Sequence, residues 1–230
     1  MIITWFGQAA LKLEGGGRSV ITDPYTPEEL GYAPIRETAD IVVISSDDDS
    51  AHCRSDLIGG DPICVNALDI AGEGEGARDV GGLTIRAIAA EEWEHHPSGT
   101  PGQNAMYRFE IDGLQVAHMG DVGNALDERQ IAFFEGVDVL LALTGGPPTI
   151  QLPDLMHMIH RVRPRLVIPI HFRTLAYRPA NILWIEDFLR HFREDRVGFA
   201  FGPHCEVTAP DLGSETRVHV LDYVRGNAGY

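Results

Sequence analysis

Residues 41–44 read Ile-Val-Val-Ile, and the chain then turns at once to Ser45-Ser46-Asp47-Asp48-Asp49-Ser50-Ala51-His52. Four β-branched side chains in succession leave a strand with no polar face, which suits a strand covered on both sides in a layered α/β protein. The ends of such strands are where polar groups project into a cleft. Three adjacent carboxylates at that place repel one another unless a cation, a basic side chain or water stabilises them. A run of aspartates is also what a solvated surface loop looks like. The rest of the chain has to decide between the two.

On either side of this strand the pattern is regular. Strands are expected over Ile2–Phe6, Ala10–Glu14 and Arg18–Thr22, the last two joined by Gly15-Gly16-Gly17, with Asp23-Pro24 ending the third. A brief strand follows at Asp61–Val65, and the glycine-rich stretch Ala71–Gly82 reads as a wide connector. Leu83–Ala89 and Asn104–Ile111 are strands around the polar loop Glu91–Pro97, and Asp112-Gly113 turns the chain into Leu114–His118. Helices at 127–135, 152–161 and 181–192 then alternate with strands at 137–143 and 165–170, and strands at 197–201, 206–208 and 218–220 finish the chain. Hairpins first and helix–strand alternation later predict two sheets sandwiched between helices, as one domain over residues 1–230.

Composition narrows the partners. Eighteen basic against 34 acidic side chains give a net charge of -16, which disfavours a nucleic-acid backbone but not a small anion held by a local arginine. The cysteines Cys53, Cys64 and Cys205 have no C-x-x-C spacing and suit a reducing cytoplasm. No run approaches 18 apolar residues, so neither export nor membrane spanning is expected.

Four polar clusters fall at strand ends: Ser46 and Asp48; Glu92, His95 and His96; Gly120-Asp121; and His171. Carboxylates and imidazoles gathered from the ends of different strands are ordinary metal-ligand chemistry. Each has a plainer reading alone, as a turn former, a structural histidine or an exposed pair. His157 and His160 share a helix face without the intervening Glu of a zincin and read as surface residues.

Taken in order, the segments Ile3–Gln8, Ile21–Pro24, Ala39–Ala51, Gly81–Ile85, Asn104–Tyr107, Ile111–Leu114, His118–Asn124, Val137–Leu141, Gly145-Gly146 and Val167–Phe172 resemble the metallo-β-lactamase superfamily. The similarity is greatest to its branch of small metal-dependent hydrolases that includes the ascorbate-6-phosphate lactonases. The resemblance spans roughly residues 1–175 and implies a four-layer αββα sandwich. Family members hold two metals through a Ser/Thr-His-x-His-x-Asp-His loop, a mid-chain His, a bridging Asp and a late His. Here the loop positions fall on Ser46, Asp48, Ser50 and Ala51, the mid-chain position on Glu92 with His95 and His96 as alternates, the bridging position on Asp121 and the late one on His171. Gln8 and Asn124 stand where two further histidines are common in this branch.

Ligand counting on that alignment predicts a dismantled dinuclear zinc site. Asp48, Glu92, Asp121 and His171 remain as metal ligands, with Asp48, Asp121 and His171 as the catalytic candidates. An oxygen-rich set favours one Mn²⁺, Mg²⁺ or Ca²⁺ over two Zn²⁺. Two functions are left open. One is a catalytically altered or silent relative whose cleft binds a small molecule or partner. The other is an active hydrolase of an ester, lactone or phosphoester, working through one metal or an Asp/His acid–base pair. The expected partner is a small-molecule ligand or substrate, with neither nucleic acid nor membrane; relatives in the family often assemble, so a homo-oligomer is open as well.

Overall fold

The structure, a computed structural model, describes residues 1–47, 51–93, 104–179 and 181–226. Its elements in chain order are β1 (Ile2–Gly7), β2 (Ala10–Gly15), β3 (Arg18–Thr22), α1 (Pro27–Leu30), β4 (Ile41–Ile44), β5 (Ile63–Asn66), α2 (Ala67–Ala71), β6 (Glu75–Val80), β7 (Leu83–Ala90), β8 (Asn104–Ile111) and β9 (Leu114–His118). Then come α3 (Glu128–Phe133), β10 (Val139–Leu143), α4 (Leu152–Val162), β11 (Leu166–Ile170), α5 (Ile185–Leu189), β12 (Val197–Phe199), β13 (His204–Glu206) and β14 (Arg217–Val220).

These strands form a six-stranded sheet ordered β13-β1-β2-β3-β4-β5 and an eight-stranded sheet ordered β12-β14-β11-β10-β9-β8-β7-β6. Together with the helices they make the αββα architecture of the metallo-β-lactamase fold. Antiparallel hairpins make β1–β3 and β6–β9, whereas β3–β4–β5 and β9–β10–β11 run parallel. The parallel strands have the continuous apolar runs that two covered faces require: β10 and β11 are buried throughout. Side-chain parity sorts the smaller sheet. Leu11, Leu13, Val20, Ile41 and Val43 enter the core between the sheets, while Ala10, Ile21 and Val42 join Tyr25, Leu30, Tyr32 and Ile58 on the outer face. Helix α4 buries Leu152, Leu155, Met156, Met158 and Ile159, the three-and-four spacing of a one-sided helix.

Two departures from the sequence-based expectation have physical causes. The stretch 71–82 is not a connector: α2 precedes it, and β6 within it pairs along its length with β7. Its residues Glu75, Ala77, Arg78 and Asp79 are exposed because β6 is an edge strand, so no apolar alternation marks it. The helix expected over 181–192 shrinks to α5 because the preceding residues are tied elsewhere: Leu183 N–H donates to Gly145 O and Arg173 N–H to Leu183 O. The other edge of the large sheet, β12, carries no charge, and Phe199 and Phe201 beside it are exposed.

The parallel strands fix where chemistry can sit. β3, β4, β9, β10 and β11 lead at their C-terminal ends into Asp23, Ser45, Gly120-Asp121, Thr144-Gly145 and His171. Two backbone hydrogen bonds bind the sheets together there, Ala105 N–H to Ser45 O at 3.0 Å and His171 N–H to Gln8 O at 3.0 Å.

Candidate metal centre

His52, Asp121 and His171 converge at this end of the sandwich. Their donor atoms lie within 4.8 Å of one another. His52 Nε2 is 3.3 Å and His171 Nε2 3.5 Å from the same atom, Asp121 Oδ1, and the two imidazoles stack at 5.6 Å with 21° between planes. All three residues are buried. Donors placed tetrahedrally at zinc-type bond lengths of about 2.0–2.2 Å stand roughly 3.3–3.6 Å apart, and the two spacings to Asp121 Oδ1 fall in that range.

The backbone is shaped to bring them there. His171 sits in the left-handed region at φ 53°, as do Gln8 at 51° and Asp23 at 37°. Such conformations in non-glycine residues cost free energy and gather at functional sites. Gly120, at φ 62°, carries the chain past β8 so closely that a Cβ there would lie 2.4 Å from Asn104 Oδ1. Asp121 is then fixed by its own N–H, which donates to Asn104 Oδ1 at 2.9 Å.

Behind the trio lies a fully buried carboxylate. Asp23 Oδ2 accepts from Ser45 Oγ at 2.6 Å and faces His52 Nδ1 at 3.0 Å, while Tyr107 OH donates to Oδ1 at 3.3 Å. With its Nδ1 hydrogen directed at Asp23, His52 presents an Nε2 lone pair to the metal position, as a carboxylate behind a ligating histidine does. Burial and Asp23 together hold the Tyr107 phenol well above its ordinary pKa, so it stays a donor. His118 completes this layer: Gly120 N–H donates to its Nδ1 at 2.9 Å, and its Nε2 bonds Ala9 O at 3.0 Å in the turn between β1 and β2. Burial lowers the pKa of His118, and it pushes that of His171 down to about 4, with Asp121 acting in the opposite direction on the latter.

Of the residues anticipated from sequence, Asp121 and His171 meet. Glu92 is buried nearby: Ser46 Oγ donates to Glu92 Oε1 at 3.1 Å, and the Glu92 backbone lies against Gly123, two places after Asp121. Asp48, His95 and His96 lie outside the described residues. Asn124 Nδ2 donates to Glu91 Oε2 and Glu92 O, and Gln8 is buried beside His171. His157 and His160 are exposed, as expected. One residue that the alignment did not use joins the centre. The alignment put the third loop imidazole at Ala51; the structure places His52, the next residue, with Asp121 and His171. A gap-free alignment could not find it, although a histidine directly after the acidic run was the available signal.

A family model described as the beta-lactamase superfamily domain matches residues 2–171. The chain belongs to that superfamily. Among curated relatives, a UPF0173 metal-dependent hydrolase of Carboxydothermus hydrogenoformans is 25% identical over 213 residues, covering 81% of this chain and 91% of its own. Among solved structures, a candidate Zn-dependent hydrolase of the metallo-β-lactamase superfamily from Thermotoga maritima superposes with a TM-score of 0.74 at 28% identity, covering 97% of this chain and 99% of its own. An isothiocyanate hydrolase from Delia radicum gut bacteria shares the fold at a TM-score of 0.64 and 14% identity, over 91% of this chain and all of its own. Among the described residues, no helix is long and apolar enough to cross a membrane.

Proposed function

We propose that this chain is a hydrolase with one divalent metal, held by His52, Asp121 and His171. The observation that carries the reading is the placement of two imidazole nitrogens 3.3 and 3.5 Å from one carboxylate oxygen. Two nitrogens and one oxygen suit Zn²⁺, or Mn²⁺ and Fe²⁺, better than Mg²⁺ or Ca²⁺. When bound, the ion supplies Lewis acidity and a water acidified to near neutral pH. The chain's own groups do the rest. Asp23 orients His52, the Ser46 hydroxyl holds the buried Glu92 carboxyl, and burial excludes bulk water. The bond broken is that of an ester, lactone or phosphoester in a small molecule, in keeping with relatives named metal-dependent hydrolases.

The altered loop, with Ser46, Asp48 and Ser50 at three ligand positions, favours a second reading in which the ion binds but no turnover follows. Elemental analysis after mild purification tests the first claim. About one equivalent of metal per chain is expected, falling to near zero in His52→Ala; two equivalents, or none with a melting temperature unmoved by Zn²⁺ and Mn²⁺, overturns it. Hydrolysis of a panel of lactones and phosphoesters by the loaded protein, lost in His52→Ala, separates the hydrolase from the silent relative.

A further inference from the structure

The segment after His171 leaves a positive charge and three large apolar side chains at the edge of the metal centre. Arg173 N–H donates to Leu183 O at 2.8 Å, Leu183 N–H donates to Gly145 O at 2.7 Å, and Gly145 is pressed so closely on His171 that a Cβ would lie 2.1 Å from its carbonyl oxygen. Residues 183–184 are thereby stitched to the strand ends that carry the ligand. The Arg173 guanidinium lies 5.4 Å from the centroid of the Trp184 ring. Next along the chain, Thr174 is turned inward by a 3.0 Å hydrogen bond to Tyr32 OH, which leaves Leu175 outside at 85% exposure. Leu183 and Trp184 are exposed as well.

Among the described residues Arg173 has no carboxylate within ion-pair distance, in a chain with 34 acidic side chains to choose from. Among the described residues, half of the other sixteen arginines have one: Arg54, Arg86, Arg161, Arg165, Arg190, Arg193, Arg196 and Arg225 pair with Asp or Glu. A guanidinium on an aromatic face keeps its in-plane N–H donors for an anion, and its fork matches a carboxylate or phosphate. Large apolar side chains left in water around it mark a surface that gains by being covered.

We propose that Arg173, seated on Trp184 beside Leu183 and Leu175, is an anion-recognising subsite of the metal centre. The compounds this site takes then carry an anionic oxygen group on an apolar body. The assignment as a substrate subsite rests on the metal-hydrolase reading, but binding at Arg173 does not require the ion, so the two fail separately.

Calorimetric titration of the full chain, both metal-loaded and chelator-treated, with octanoate, octanamide and acetate tests it. Octanoate is expected to bind at least about tenfold more tightly than the other two in both forms, the range of a charge-assisted hydrogen bond. Arg173→Met should bring octanoate down to the octanamide level without changing octanamide or the metal content, and Arg173→Lys should restore part of the difference. Equal binding of octanoate and octanamide overturns the proposal. So does octanoate binding that vanishes on chelation yet survives Arg173→Met, since the carboxylate would then be a metal ligand. A dimer seen by ultracentrifugation, dissolved by Leu175→Glu and indifferent to octanoate, would assign the patch to a second copy and also overturn it. Absence of metal with octanoate binding intact would sink the hydrolase reading alone.

Discussion

At the scale of single residues, the polar layer behind the metal centre holds its histidines in defined states. His118 accepts at Nδ1 from Gly120 N–H, so its hydrogen resides on Nε2 and points at Ala9 O; the ring is neutral. Its pKa is lowered by burial, with Asp23 opposing. A histidine whose folded pKa lies below the unfolded value of about 6.5 binds its proton more readily in the unfolded chain. The stability tied to its neutral form is therefore complete above about pH 6.5 and is lost as pH falls below that toward the folded pKa. The urea midpoint should drop between pH 7.5 and 5. In His118→Asn the protein should be less stable at pH 7.5 but show a shallower acid slope, by up to about 1.4 kcal/mol per pH unit. An unchanged slope would place the acid sensitivity elsewhere, with His171 and His219, whose pKa values burial also lowers.

At the scale of elements, the decisive joint is the pair of turns that follow β10 and β11. Gly145 lies between the His171 carbonyl and Ile182, with a Cβ position 2.1 Å from the former and 3.3 Å from the latter. Gly145→Ala must displace backbone, at a cost of about 1–3 kcal/mol for an overpacked site. Because the displaced atom belongs to His171, metal content should fall along with the melting temperature; a variant that only melts earlier while holding its ion would show that His171 tolerates the shift. The elements that meet here were legible in sequence for one reason. β4, β10 and β11 are buried on both faces, so local composition and tertiary role coincide. β6 was not legible, because it is a strand only by virtue of its pairing with β7 and its exposed residues match a loop. The site divides along the same line. Asp121 and His171 directly follow buried strands and could be anticipated there, whereas His52 reaches the centre from a loop whose path no periodicity records. Asp23 looked like the end of a strand; its contacts with Ser45 and His52 need β3 and β4 side by side, and that with Tyr107 exists only once the two sheets face each other.

At the scale of the whole molecule, a net charge of -16 is spread over a body whose sheets end unequally. One margin of the large sheet, β6, is guarded by Glu75, Arg78 and Asp79. The other, β12, presents an uncharged Val197-Gly198-Phe199 strand with Phe199 and Phe201 in solvent. An unguarded margin of this kind is a template for pairing with another chain. The net negative charge opposes such pairing by mutual repulsion, whose reach shrinks from about 30 Å at 0.01 M salt to about 3 Å at 1 M. Light scattering at pH 7 should therefore report growing apparent mass as salt is raised, and growth at low salt as pH approaches the isoelectric point near 4.9. Phe199→Lys should suppress both, and failure to do so would locate the attraction on another face. On that expectation ionic strength acting on one bare strand sets the colloidal state, and salting out begins there while the fold is still intact.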